Sequence, residues 1–315
     1  MKLFNGNRTL ALLFFFPLLS AQMLLAASPD QALLSLVPPG AQIVAGATSA
    51  TAPGKPSSFL LTSHKNVLDR TDFLSLAGVD DSTVIRQMIF VTGSTDPRAS
   101  GEHSLLVSGH FDQARIFKAA VQNGATVTQF KGFQVLIQHP FERELATFKD
   151  VRWLVVIDSN LALFGTVYSI QQELNRHLAR SAADPSLAQR VSHLRRDDST
   201  WSILDVFNDD DGIEHALGSL DPILAKLIHD GSSFLIGVRY GRKVEVEYEA
   251  TQRSNPSAQT VSNTSMQSVV AGSLKESSLL PHPDPTPVRG VVKVGIDRYS
   301  AWLADVTQTG LTQGR

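Results

Sequence analysis

The chain has 315 residues, 43% hydrophobic and 18% charged, with a formal net charge of −2, enough for one large domain or two ordinary ones with a sizeable core. It has no cysteine, which excludes disulfides, zinc–thiolate sites, iron–sulfur clusters and thiol nucleophiles. The charge balance also lacks the Lys and Arg excess that marks a nucleic-acid footprint.

The chain opens on a targeting pattern. Lys2 and Arg8 precede a strongly apolar run over 10–19, and Ala26-Ala27-Ser28 offers a cleavage site. Residues 1–28 therefore read as a signal peptide, with the mature chain exported and soluble or peripherally held. The alternative is an uncleaved anchor, since Met23-Leu24-Leu25 prolongs the apolar character, although Pro17, Ser20 and Gln22 interrupt it. No later stretch is apolar enough to span a bilayer.

Ser28-Pro29-Asp30-Gln31 carries helix-start chemistry, with Ser28 as the expected N-cap. That helix must stop before Pro38-Pro39-Gly40. A strand over 41–47, a loop over 48–58, a helix carrying Phe73, Leu74 and Leu76, and a strand over 84–93 follow. Residues 104–111 read as a strand, and Asp112 starts a helix that stops at Gly124. The same joint returns as a strand from Val291 with a helix ending at Gly310, and Trp302 sits where Ile116 does.

Hairpins are expected at 126–139, turning at Lys131-Gly132, and at 151–164, turning at Asp158-Ser159-Asn160. Thr166 heads a helix with Ile170, Leu174 and Leu178 on one stripe. Asp184-Pro185 heads another with Leu187, Val191 and Leu194. Arg190, Arg195 and Arg196 on the latter read as a solvated face. Strand 200–207, a helical pattern over 213–229, a hairpin over 234–250, a weak helix over 257–272 and a Pro-rich connector over 281–287 complete the order. In 244–250, Val244, Val246 and Tyr248 alternate with Glu245, Glu247 and Glu249, so one sheet face is buried and one is wet.

Each half thus runs β-α-β-β-α-β. The expected fold is α+β, a largely antiparallel sheet with helices on one face, in two ferredoxin-like units at 29–198 and 199–315; the alternative is a single long meander sheet whose joints merely look alike. The first unit carries an extra hairpin and helices.

Chemistry is sparse. Ser108 and His110 share a strand face by the two-residue period, with Asp112 just beyond. They could form a nucleophile–base pair or ligate a metal, making a secreted hydrolase. The simpler reading makes Asp112 a helix cap and His110 a strand residue, and no G-x-S-x-G elbow is present. Asp209-Asp210-Asp211-Gly212 fails as a calcium loop because Phe207 and Gly218 stand where acids are required. His215 and His229 are too far apart for a helical metal pair, and Asn263-Thr264-Ser265 is a formal glycosylation sequon. No phosphate-cradling glycine loop occurs, and no cofactor is expected. Trp153, Trp201 and Trp302 sit in apolar runs as core anchors.

The stretches at 36–46, 102–112, 150–166, 181–187 and 289–294 resemble a family of uncharacterised exported bacterial proteins of acidobacterial type. The resemblance implies export and carries no activity. The expectation is a non-enzymatic envelope module that binds or scaffolds a protein partner. The alternatives are the hydrolase at Ser108, His110 and Asp112, or a carrier whose partner is a small apolar ligand. The membrane enters only through an uncleaved leader.

Overall fold

A computed structural model describes residues 29–48, 85–94, 102–138, 151–195, 198, 200–205, 231–240, 243–252, 287–295 and 298. The signal peptide, the helices expected at 73–78, 213–229 and 257–272, all but Arg298 of the closing helix, the acidic run at 209–211, the sequon and Trp302 lie outside them.

Eleven strands make one antiparallel sheet. They are β1 (Ala41–Thr48), β2 (Ile85–Ser94), β3 (His103–Gly109), β4 (Thr126–Phe130), β5 (Phe133–Gln138), β6 (Arg152–Asp158), β7 (Leu161–Thr166), β8 (Thr200–Asp205), β9 (Gly231–Tyr240), β10 (Val244–Gln252) and β11 (Val288–Val294). Their order is β11-β10-β9-β8-β1-β2-β3-β7-β6-β5-β4. The described helices are α1 (Gln31–Leu36), α2 (Gln113–Gln122), α3 (Val167–Leu178) and α4 (Pro185–Ser192).

The molecule is thus α+β with a large antiparallel sheet and few helices, as the order of sequence patterns implies. The strand order differs from that of ferredoxin-like units, which set the first strand between the third and fourth. Here β4 to β7 form a four-strand meander that returns to pair with β3, and β8 to β11 form a second meander. The halves join where β8 pairs with β1, with Gly46 opposite Trp201.

Helices cover both faces, where the sequence reading put them on one. In β3 and β6 alternate residues enter different cores. Leu105, Val107, Leu154 and Val156 pack with Ile116 and Ala120 of α2. Leu106, Trp153 and Val155 pack with the apolar residues of α1, α3 and α4. The six residues of β7 are all buried, the pattern of a strand covered on both sides, and such a run carries no alternation from which a covered face could be read.

Local chemistry explains the joints. The β4–β5 turn puts Lys131 at φ 50° and Gly132 at φ 89°, the paired left-handed positions that suit a two-residue hairpin. The α1 cap is Asp30 and not Ser28. Its carboxylate accepts from Ala32 N at 2.9 Å, and its own N–H donates to Gln87 Oε1 on β2 at 2.7 Å. An acidic cap bonded to the second helical amide starts the helix at Gln31, after Pro29. Thr166 is the cap residue of α3, but its hydroxyl is turned to the His103 carbonyl and Ser169.

Candidate functional site

Ser108, His110 and Asp112 do not converge. Ser108 lies within β3, opposite Gln87 and Leu161, and is 3% exposed. The strand ends at Gly109, whose N–H donates to Asn160 O at 2.9 Å, while Phe111 N donates to Ser159 O at 2.8 Å. This binding to the β6–β7 turn buries Phe111 and leaves His110 and Asp112 outside. The shared face inferred from a two-residue period requires the strand to continue through His110, and it does not.

Asp112 is the N-cap of α2, accepting from Arg115 N at 3.0 Å. Asn caps about as well as Asp, so Asp112→Asn should leave chemical denaturation unchanged, while Asp112→Ala should cost about 1 kcal/mol. If the Asn variant instead loses as much as Ala, or abolishes a metal-dependent stabilisation, the charge itself is needed and the capping reading fails.

A better-formed arrangement lies on the other half of the sheet, at the C-terminal end of α4. Asp184 caps that helix, accepting from Ser186 N at 2.8 Å and Leu187 N at 3.1 Å. Leu187 and Val191 seat it in the core. Arg190 is not part of a solvated face. Its guanidinium spans Asp205 on β8 with contacts of 2.5 and 3.2 Å and reaches Ser233, which itself donates to Asp205 at 2.6 Å. The ion pair ties α4 to β8.

Beyond α4 the chain crosses β9 and β10. His193 Nδ1 lies 3.2 and 3.1 Å from the two oxygens of Glu249. Arg289 on β11 meets the same carboxylate at 3.0 Å. Asp198 accepts from Arg195 N at 3.0 Å and lies directly over Gly237, where any Cβ would strike its carboxylate. Glycine there lets the acid sit down on the sheet. Arg195 stands 3.8 Å from Glu247.

His193, Asp198, Gly237, Glu247, Glu249 and Arg289 therefore line an open groove between residues 193–195 and 198 on one side and β9 to β11 on the other. At its far side Lys293, 2.8 Å away, and then Arg239 hold the Glu245 carboxyl well below the ordinary range, at about 2. Glu245, Glu247 and Glu249 share one face of β10, while Val244, Val246, Tyr248 and Ala250 are buried on the other.

The alternation of β10 was readable in advance, and so, in principle, was the match of Arg289 and Lys293 to Glu249 and Glu245 across an antiparallel pair. His193 and Asp198 carry no local signal, because only the crossing of the turn over the sheet makes them neighbours of β9 and β10.

No family model matches the chain, and no curated protein matches it. Among solved structures, the chain is similar to the one titled "Structure of crystal form I of TP0453", at 10% identity and a TM-score of 0.48, over 88% of this chain and 98% of that one.

Proposed function

We propose that this is an exported, non-enzymatic envelope protein, a binding or scaffolding module whose recognition surface is the groove that residues 193–195 and 198 form with β9 to β11. The observation that carries the reading is the convergence of His193 and Arg289 on Glu249, with Glu247 and Asp198 alongside. Such a surface presents charges of both signs around Leu194, Leu235 and Tyr248 in an open depression, the mixed polar and apolar character that suits a protein segment. The hydrolase reading has less support, because Ser108 is buried within β3 while His110 stands outside it, and a nucleophile and its base must lie within hydrogen-bond reach. The leader-like segment at 1–28 supports export to the periplasm or beyond.

The test has two readouts on protein recovered from the envelope fraction. The mature N-terminus should lie near Ser28 by mass analysis. Ester, peptide and phosphoester substrates should show no turnover that Ser108→Ala removes. Turnover abolished by Ser108→Ala would restore the hydrolase, and an intact Met1 on stable, membrane-bound material would contradict release by cleavage.

A further inference from the structure

Glu173 has no role in the groove, and its surroundings are unlike those of any other described acid. It lies at the middle of α3 with 0% exposure, between Ile170 and Leu174, both also at 0%. One oxygen accepts from the Ser104 hydroxyl of β3, and the other has no partner. Ser104 is itself 1% exposed. It sits against Gly165 of β7, where a Cβ would strike the His103 carbonyl and Ser104. The absent side chain is what lets α3, Ser104 and the sheet close over the carboxyl.

We propose that α3 is a proton-operated latch, held down on β3, β6 and β7 while Glu173 carries its proton and released from them when the proton leaves. A fully buried carboxylate with one hydrogen bond and no counter-charge among the described residues is strongly disfavoured. A protonated carboxyl avoids that cost. Helix α3 makes none of the sheet's ladder pairings, so lifting it hydrates the carboxylate without dismantling them.

Among the described residues, no charged group packed against α3 compensates Glu173; Lys131 of the β4–β5 turn reaches the helix but donates to Asn175 Oδ1 at 2.6 Å. Helix α1 contains no titratable residue, and its cap Asp30 is bonded to Ala32 N. Strand β7 contains none. On β3, His103 lies on the opposite face beside Phe90, with ring centroids 6.3 Å apart. Glu102 precedes the strand and supplies no positive charge. On β6, Arg152 shares the face of Leu154, away from α3, and Asp158 closes the turn by accepting from Asn160 N at 2.7 Å.

Within α3, Arg176 is committed to the Ser35 and Ala182 carbonyls at 2.9 and 2.7 Å, and His177 stands edge-on to Phe133. Burial, opposed only in part by the Ser104 hydroxyl, accordingly pushes the Glu173 carboxyl up to about 8.

The sign follows from the difference between the closed and open helix. The closed form holds the proton more tightly, so its advantage is complete below the ordinary carboxylate value of 4.5. That advantage is lost as pH rises toward about 8.

Hydrogen exchange of the full chain at several pH values, corrected for the intrinsic pH dependence of exchange, tests the latch. Amides of α3 in the wild type should lose protection by at least about tenfold between pH 6 and 9, while those of α2 on the opposite face stay protected. Glu173→Gln keeps an acceptor for Ser104 without a charge, and its α3 should show no such loss. Ser104→Ala, which removes the one bond favouring the anion, should carry the upper end of the transition to higher pH. The same pH profile in wild type and Glu173→Gln would overturn the latch. So would simultaneous loosening of α2 and α3, which would make the effect global unfolding and not release of one helix.

Discussion

Trp201→Ala is expected to destabilise the fold by about 3–5 kcal/mol, the usual cost of emptying a large aromatic site. Trp201 is 5% exposed in β8, and its indole lies across Gly46 of β1, where any Cβ would clash with the ring. The bare backbone of Gly46 forms the floor of the site, so Gly46 itself brings no side chain to fill the space. The site also lies on the β1–β8 seam that joins the two halves of the sheet. Urea denaturation followed by far-UV circular dichroism measures the loss, and an unchanged denaturant slope would confirm that both states keep their compactness.

The reciprocal change, Gly46→Ala, must displace the indole and should cost about 1–3 kcal/mol. Combined with Trp201→Ala it should cost less than the sum, because the added methyl then enters space already vacated. A loss under about 1 kcal/mol for Trp201→Ala would show that the seam is held without the indole.

The parts of this fold legible in sequence are those fixed by a few adjacent residues. Asp112 and Asp184-Pro185 mark helix starts because a short acidic side chain can reach the second or third helical amide from only one position. Lys131-Gly132 marks a hairpin because two left-handed residues in succession suit a tight turn and little else. The wet and buried faces of β10 follow from strict alternation.

What was not legible depends on residues far apart in the chain. A uniformly apolar strand such as β7 gives no sign that α2 covers one face and α3 the other. Repeated strand–helix joints are compatible with several strand orders, and the return of β7 to β3 is decided by pairings sixty residues or so apart. Arg190 looked like a surface charge because its partners, Asp205 and Ser233, belong to strands that meet α4 only in the folded chain. Ser108 and His110 were grouped by a period valid only while a strand lasts, and β3 stops between them.

Glu173 was hidden for a related reason. A single Glu at a helical position is ordinarily solvated, and only the tertiary placement of Ser104 and Gly165 shows this one enclosed.

The proposed recognition surface is tested most directly by site-specific photocrosslinking in the envelope of the producing cell. Val291 is 49% exposed and pairs with Glu247 on the charged face. A photoreactive residue there reports on the groove while leaving His193, Glu249 and Arg289 intact. Val121, 48% exposed on α2 across the sheet, is the matched control. A discrete adduct should form from position 291 and not from position 121. It should be lost when Glu249→Lys reverses the charge at which His193 and Arg289 meet. No adduct from position 291, or equal labelling from both positions regardless of Glu249, would contradict the binding role of the groove.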